Sequence, residues 1–259
     1  MAGSSAPGRM LVGVRIDTTS HADAAERVLG WARAGESRYV CAATVHMVME
    51  AHDDPAFRAV VNGADLVTPD GMPLLWGVRL LGEAAATRVR GTDLMSTVCA
   101  RAGVEGIPIG LYGSTPQVLD RLADVLPKRF PGLRIAYRVS PPFRPLAPSE
   151  DEEVVRAIHA SGARVLFVGL GCPKQERWMA AHRGRVHLPM VGVGAAFDFL
   201  AGVKREAPRW MQNAGLEWSF RLLSEPRRLW RRYAYHNPRF VALLAVQLCG
   251  RGRRSRGAR

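Results

Sequence analysis

The sequence predicts an α/β fold: a Rossmann-like, mostly parallel sheet covered by helices, with a basic helical appendage at its C-terminal end. Strand-like and helix-like segments alternate along most of the chain, which is typical of parallel sheets whose crossovers are helices. Two strand-like segments, residues 165–168 and 190–193, run into Gly-x-Gly turns that open helices. With 259 residues, 47% of them hydrophobic, the chain can bury a full core.

Each predicted element follows from its apolar pattern and its end signals. The predicted strands are residues 10–16, 39–43, 66–68, 107–112, 133–139, 165–168 and 190–193. The predicted helices are residues 21–34, 46–61, 71–81, 116–130 and 151–160. Ser20 is expected to cap the first helix and Thr115 the fourth, whereas Pro55 should break the second. The Pro-rich segment 140–149 is predicted to be a turn-rich connector.

Changes of composition divide the chain into four predicted parts. These are a disordered tail at residues 1–9, an α/β catalytic core at 10–215, a helical appendage at 216–250 and a basic disordered tail at 251–259. Pro226 and Pro238 should break the appendage into two or three helices, because proline cannot continue the hydrogen-bond ladder.

The positive charge is concentrated in the last fifth of the chain. Twelve arginines but only two acids, Glu217 and Glu225, lie from Arg209 onward, which gives this part +10 of the total net charge of +13. Such asymmetry indicates an anionic partner: nucleic acid, an anionic membrane or a phosphorylated substrate. A solvated basic tail is the alternative, above all for residues 251–259. The apolar stretch 240–249 is too short to span a bilayer but suits an interface or the core.

The four cysteines contain no CxxC pair, which argues against a disulfide framework and against a zinc site. A reducing, cytosolic compartment is therefore expected. The first ten residues lack the apolar core of a signal peptide, and no apolar window reaches the length of a membrane span.

The run VLFVGLGCPKQERW, residues 165–178, predicts a phosphate-binding turn. Gly169 and Gly171 let backbone amides approach a ligand closely, and Pro173 fits the first position of the following helix. The N-terminus of that helix favours an anion. Lys174, Gln175 and Glu176 follow in its first turn. Glycines that are needed only for packing would explain the same pattern.

A second turn of this kind follows the next strand. Gly192 and Gly194 begin a pattern that resembles a dinucleotide fingerprint, but Phe197 stands where its third glycine would be. Because neighbouring parallel strands bind ligands at their carboxyl ends, the two turns together predict a mononucleotide pocket.

Four blocks of the sequence resemble the TagA/WecG/CpsF family of bacterial glycosyltransferases. In order they are TPDGMPLLWGVRLLG, RVRGTDLM, GLGCPKQERWM and GVGAAFDFLAGVKREAPRWMQNAGLEWSFRLLSEPRRLWRRY, and the resemblance runs over residues 10–240. It implies transfer of N-acetylmannosamine or a related hexosamine from a UDP donor to undecaprenyl-diphosphate-linked N-acetylglucosamine, with inversion. The products would feed wall teichoic acid, common antigen or exopolysaccharide assembly. The resemblance also implies that the appendage completes the active site on the cytoplasmic membrane face.

The resemblance assigns roles near the reacting sugar. Asp70, in TPDG, matches the proposed base, although capping of the helix 71–81 is the alternative. Thr44 and Gln175 match polar positions of the family, and Thr44 could equally be an ordinary strand-end hydroxyl. His46 stands where many relatives have asparagine, which leaves the sugar contact made there open.

Stabilisation of the leaving diphosphate is expected without a metal or cofactor, because the chain contains no DxD motif. By similarity, Arg88 and the appendage residues Arg221, Arg228 and Arg231 would contact diphosphate, with surface solvation as the alternative for each. The expected donor-binding residues are Gly169, Gly171, Pro173, Lys174, Glu176, Gly192, Gly194 and Asp198.

Two other function classes compete with this interpretation. A basic segment with Trp218, Trp230 and Tyr233 could stack nucleic-acid bases, but no nucleic-acid-binding motif is present. A nucleotide-dependent oxidoreductase would need the missing third glycine and a suitably placed acid. The sequence predicts neither as strongly as the transferase, and it leaves the transferred sugar, the acceptor glycan and homo-oligomerisation open.

Overall fold

The computed structural model describes the backbone of residues 8–256 and the side-chain surroundings of residues 8–250. The strands are β1 (Gly8–Leu11), β2 (Val14–Asp17), β3 (Tyr39–Ala43), β4 (Leu66–Pro69), β5 (Ile109–Gly113), β6 (Ile135–Val139), β7 (Val165–Gly169) and β8 (Met190–Gly192). The last six form one parallel sheet in the order β4-β3-β8-β7-β5-β6. The predicted α/β, Rossmann-like fold is confirmed.

Helices cover both faces of this sheet. They are α1 (His21–Ala34), α2 (Val45–Asp53), α3 (Pro55–Asn62), α4 (Met72–Leu80), α5 (Gly91–Glu105), α6 (Pro116–Arg129), α7 (Pro148–Ala160), α8 (Lys174–His182), α9 (Ala196–Leu200), α10 (Arg209–Asn213), α11 (Glu217–Ser224) and α12 (Pro226–Arg256). The Ser20 hydroxyl accepts a hydrogen bond from the Asp23 N–H, as the cap prediction requires, and Thr115 does the same for Val118. Pro55 begins α3 and so separates it from α2.

The parallel arrangement brings four strand ends to one edge of the sheet. Cys41 of β3 pairs with Gly192 of β8, which in turn pairs with Val168 of β7, and Ala43 pairs with Pro69 of β4. The residues that follow these strands therefore meet at one place, which is where open parallel sheets bind ligands.

The N-terminal strand prediction is partly wrong. Residues 10–16 form a hairpin, β1 and β2, in which Leu11 pairs with Val14 across a two-residue turn. Val12 and Gly13 both have positive φ, 49° and 84°, as the mirror-image turns of tight hairpins require. Gly8 and Arg9 belong to β1, which contradicts the prediction that they are part of a disordered tail. Residues 1–7 lie outside the described part of the chain.

The C-terminal helix also differs from its prediction. The chain does break at Pro226, but α12 continues through Pro238 and is 31 residues long. One face of α12 buries Leu229, His236 and Phe240. This packing offsets the loss of one backbone hydrogen bond, so the helix persists across the proline.

The final tail was predicted to be disordered, yet α12 includes residues 251–256, and residues 257–259 lie outside the described range. Phe240 belongs to the same buried cluster as β3 and α2, which means that the appendage packs into the core.

Over residues 8–256, the structure contains no helix with the length and apolarity that a membrane crossing demands.

Candidate active site

Asp70 follows β4 at the edge of the sheet where the strand ends meet. Its carboxylate Oδ2 accepts a hydrogen bond of 3.0 Å from the N–H of Gly91, the first residue of α5. The helix α4 has Gly71 as its N-cap and no side-chain cap. The alternative prediction, in which Asp70 caps the helix that follows it, is therefore wrong. The carboxylate instead lies at the N-terminus of α5, where the helix dipole favours its charged form.

Two charged neighbours shift the pKa of Asp70 in opposite directions. The Arg88 guanidinium donates to the backbone carbonyl of Asp70 through Nε and lies 3.8 Å from the carboxylate. The Glu217 carboxylate, carried by α11, pairs with the same guanidinium at 2.6 Å. Burial raises the pKa of Asp70 above its usual value, and the negative charge of Glu217 raises it further, whereas Arg88 lowers it.

Arg90, the N-cap residue of α5, contacts three residues of the segment 206–217 beside this pair. Its guanidinium is 7% exposed and donates to Glu206 at 2.8 Å and to the Gln212 side chain at 2.9 Å. Its Nε lies 3.6 Å from Glu217. Sequence reasoning missed both Arg90 and Glu217, although Arg90 stands in the RVRG block that it used. The two arginines of that block make Glu217 part of the site.

Two cavities meet at Asp70. The first cavity, of about 110 Å³, lies between α4 and α12 and is lined by Met72, Trp218, Tyr233 and His236 among others. The second cavity, of about 170 Å³, lies over the Gly-x-Gly turns and is lined by Gly171, Gln175, Gly192 and Gly194 among others. The residues that line both cavities are Thr44, Asp70, Glu217, Arg221 and Arg232. Two ligands could thus approach one carboxylate from two sides.

Thr44 caps a helix, which the sequence analysis did not predict. Its hydroxyl accepts from the N–H of Met47 at 3.3 Å and so caps α2. It also lines both cavities at the end of β3. The cap fixes the hydroxyl beside Asp70.

Gln175 ties the two glycine turns together. Its Oε1 accepts from the N–H of Gly171 at 3.2 Å and from the N–H of Gly194 at 3.1 Å. Its Nε2 donates to Glu176 at 2.7 Å. The sequence analysis predicted that the N–H groups of Gly171 and Gly194 contact phosphate. That prediction is corrected, because both N–H groups donate to the Gln175 side chain. Gln175 instead organises the floor of the second cavity.

Packing explains two of the four glycines. A Cβ on Gly169 would lie 2.6 Å from the Phe197 ring, and one on Gly192 would lie 2.7 Å from the Met179 methyl carbon. Gly171, in contrast, has a φ of +80° and open space around it. The packing alternative thus holds for Gly169 and Gly192, while Gly171 is required by its backbone conformation.

Several predicted donor residues lie away from Asp70. Gly169 and Lys174 line a separate cavity of about 830 Å³, on the other side of the β7–α8 connection, with Tyr112 and Trp178 in its wall. Pro173 occupies the N-cap of α8, one residue before its predicted place.

Glu176 and Asp198 have protein partners. Glu176 is fully buried, accepts from Cys172 and Gln175, and has a pKa that burial raises. Asp198 forms an ion pair of 2.8 Å with Lys204 and lines neither cavity at Asp70. Glu176 therefore orients the Gln175 side chain by accepting its hydrogen bond. Asp198 lies beside the site.

Three appendage arginines surround the second cavity: Arg221, Arg228 and Arg232. We call them the arginine cluster. The half-buried Arg232 lines both cavities, forms no ion pair with another described residue, and has an Nε that is buried without a hydrogen-bond partner. Burial lowers its pKa, and the positive charges of the other two members act in the same direction. Concentrated guanidinium charge of this kind suits a phosphate group.

Arg231 is not part of this cluster. Its side chain is exposed and lies over the ring of Trp230, 5.4 Å from the ring centre. Arg228 and Arg232 are four residues apart and lie on one face of α12, whereas the Arg231 side chain lies against the Trp230 ring. The sequence analysis named Arg231 and missed Arg232. Helical spacing could not have separated the two, because residues three and four apart from Arg228 are both its neighbours on the helix.

The comparison with protein families agrees with this geometry. The model of the glycosyl transferase WecG/TagA/CpsF family matches residues 9–254, which is nearly the whole chain.

Proposed function

The chain belongs to the WecG/TagA/CpsF family of glycosyltransferases, and we propose that it transfers a hexosamine-type sugar from a UDP donor to an undecaprenyl-diphosphate-linked N-acetylglucosamine, with inversion. N-acetylmannosamine or a related sugar is the proposed cargo. The observation that carries this proposal is the position of Asp70, at the meeting point of two cavities of which one is surrounded by the arginine cluster.

The second cavity is the proposed donor site. Gln175 and the glycine turns form its floor, and the arginine cluster supplies positive charge for the diphosphate. A cation next to the bond that breaks stabilises the charge that develops on the leaving UDP. Because guanidinium groups provide this charge, we propose that the reaction uses no bridging metal ion.

The first cavity is the proposed acceptor site. It opens beside α12 and combines apolar side chains such as Met72 and Trp218 with the charged side chain of Arg232. A lipid-linked diphosphate sugar offers the matching chemistry, because its diphosphate can pair with Arg232 while its sugar hydroxyl points to Asp70.

Asp70 is the proposed general base. Inverting transfer is a single displacement in which the acceptor hydroxyl loses its proton while it attacks the anomeric carbon. The raised pKa of Asp70 makes its carboxylate a better proton acceptor than an ordinary aspartate. General-base catalysis of this type contributes roughly 10²- to 10⁴-fold to a rate.

The outer face of α12 is the proposed membrane contact. Arg227, Trp230 and Arg231 are exposed there, on the side that faces away from the core. Exposed aromatic and basic side chains suit the interface of an anionic leaflet. We therefore propose a peripheral location on the inner face of the plasma membrane and a role in cell-wall or exopolysaccharide synthesis.

The location of the arginine cluster favours glycosyl transfer over nucleic-acid binding. Its members line a small cavity instead of a groove that could follow a nucleic-acid backbone.

An assay of sugar donors tests the proposal. The protein is incubated with a series of UDP- and GDP-sugars and a short-chain prenyl-diphosphate N-acetylglucosamine analogue, and the products are weighed and their anomers assigned. We expect a product only from a UDP-hexosamine, with the inverted anomer. Calorimetry with UDP in EDTA should show unchanged binding. Retention of configuration would contradict the mechanism, and UDP binding that returns only with Mn²⁺ would contradict its metal-free form.

A further inference from the structure

Three side chains with metal-ligand chemistry converge beside the first cavity, and two of them, His46 and His236, line its wall. His46 and Glu50 lie one turn apart on α2, and His236 reaches them from α12. One ligand atom from each lies within 4.8 Å of the other two. His46 and His236 line the proposed acceptor cavity, but the reaction proposed above assigns no step to any of the three.

The nitrogen–oxygen distances in this cluster are longer than those of ordinary hydrogen bonds. The Nε2 of His46 lies 3.4 Å from Oε1 of Glu50, and the Nε2 of His236 lies 3.6 Å from the same oxygen. Nitrogen–oxygen hydrogen bonds in proteins are usually about 2.7 to 3.2 Å long. Ligand atoms that surround a tetrahedral ion at about 2.0 to 2.1 Å are separated by roughly 3.3 Å. The two nitrogen–oxygen distances therefore fit a shared ion better than a shared proton.

Both imidazoles lack the partners that buried histidines normally have. The Nδ1 atoms of His46 and His236 are buried and have no hydrogen-bond partner among the described residues. The two rings touch edge to face, with 5.1 Å between their centres. Imidazole nitrogens are among the commonest metal ligands in proteins, so each ring offers a suitable ligand atom.

Charged side chains surround the two histidines and affect how favourably a cation would bind there. Arg232 opposes a cation at both histidines, and Arg239 opposes one at His236. Arg239 is held by both oxygens of Asp53, at 2.6 and 2.8 Å, and the Asp53 charge acts on His236 in the opposite direction. Glu50 supplies the negative charge at the site itself.

We propose that His46, Glu50 and His236 bind a divalent transition-metal cation, with Zn²⁺ as the best fit, and that this ion ties α12 to α2. Two imidazoles and one carboxylate form a common zinc ligand set that leaves a fourth position for water. The ion would lie outside the donor-diphosphate contacts, and this proposal does not rest on the proposed function. Its role is to hold the appendage on the core.

Calorimetric titration with Zn²⁺ tests the site. The untagged full chain is freed of metal by chelation and titrated without nucleotide, so that the result is separate from UDP binding. We expect one ion per chain. His236→Gln and Glu50→Gln each remove one ligand and should weaken binding by about 100-fold or more, since even outer-shell changes cost about 10- to 100-fold.

A matched control is available on another surface. His159 and His187 form a similar ring pair, 5.2 Å apart, without a third ligand residue among the side chains that the structure describes. His187→Gln should therefore bind Zn²⁺ like the wild type. The wild type and this control should gain thermal stability when Zn²⁺ is added, and His236→Gln should not. Circular dichroism establishes that each variant is folded.

A second readout does not depend on zinc affinity. Co²⁺ in a tetrahedral site absorbs visible light strongly, and this band should appear in the wild type and be absent from His236→Gln. Absence of stoichiometric Zn²⁺ binding to the wild type would overturn the proposal. Binding that is unchanged in both His236→Gln and Glu50→Gln would overturn it equally, because the ion would then lie elsewhere.

Discussion

The guanidinium of Arg88 lies 2.6 Å from the carboxylate of Glu217 and joins a residue of the core to a residue of the appendage. The same guanidinium donates to the backbone carbonyl of Asp70. Docking of α11 therefore places a negative charge next to the proposed base. The protonation of Asp70 depends on a side chain that lies 147 residues further along the chain.

Removal of the Glu217 charge should move the pH profile. Its charge raises the pKa of Asp70, so Glu217→Gln should lower that pKa. The base works when it is deprotonated, and activity is lost as pH falls through its pKa. The acid limb of kcat/KM should therefore move to lower pH in Glu217→Gln. Glu152→Gln, the same change at an exposed site on α7, should leave the limb in place. An unmoved limb in a folded Glu217→Gln would show that the limb belongs to another group.

Neighbouring arginines on α12 should differ sharply. Arg232 lines both cavities, whereas Arg231 is exposed over Trp230. Hydrogen bonds to charged groups contribute about 1.5 to 3 kcal/mol, so Arg232→Gln should lower kcat/KM by roughly 10- to 100-fold. Arg231→Gln should change it less than about threefold. Initial rates with a soluble acceptor measure both. Equal losses in the two variants would contradict the assignment of Arg232.

Loss of the Gln175 side chain should affect both fold and donor binding. Gln175→Met keeps the side chain's length but leaves the N–H groups of Gly171 and Gly194 without their acceptor. Each unsatisfied buried donor costs about 1 to 3 kcal/mol, so the melting temperature and the UDP affinity should both fall. The exposed Gln117→Met on α6 is the matched control and should change neither. Normal UDP affinity in Gln175→Met would remove Gln175 from the donor site.

The outer face of α12 should control membrane attachment separately from catalysis. The double variant Arg227→Glu with Arg231→Glu reverses two exposed charges. Each basic residue near an anionic surface contributes about 1 kcal/mol, so sedimentation with anionic vesicles should fall by more than tenfold while transfer to a soluble acceptor persists. Arg134→Glu with Arg156→Glu makes the same charge change on the core. If both pairs weakened vesicle binding equally, total charge would be responsible and α12 would not be the contact.

The sequence predicts the sheet well because its strands are buried apolar runs. The end of β7, for instance, is predicted within one residue. It misses α5, which begins at Gly91, because the N-cap residue Arg90 is not a capping residue type that would mark the start of a helix. It also predicts a break at Pro238, where packing of Phe240 against the core overrides the local preference for a kink.

Site residues could be predicted where the family resemblance and a local pattern indicate them. Asp70, Thr44 and Gln175 follow strands or glycine turns; the structure brings Asp70 and Thr44 to both cavities and Gln175 to the second. Glu217 and His236 were missed because their partners lie more than a hundred residues away in the chain. Only the docking of α11 and α12 brings them to the site.

Replacement of Asp70 tests the central claim most directly. Asp70→Asn preserves the shape of the side chain and can still accept from Gly91, but it cannot take up the proton. Initial rates of sugar transfer are compared with those of the wild type and of Asp120→Asn, the same change at an exposed site on α6, with UDP affinity measured in parallel. We expect transfer to fall by roughly 10²- to 10⁴-fold in Asp70→Asn alone, with UDP affinity and thermal stability retained. Near-normal transfer by folded Asp70→Asn would contradict the role of Asp70 as the base.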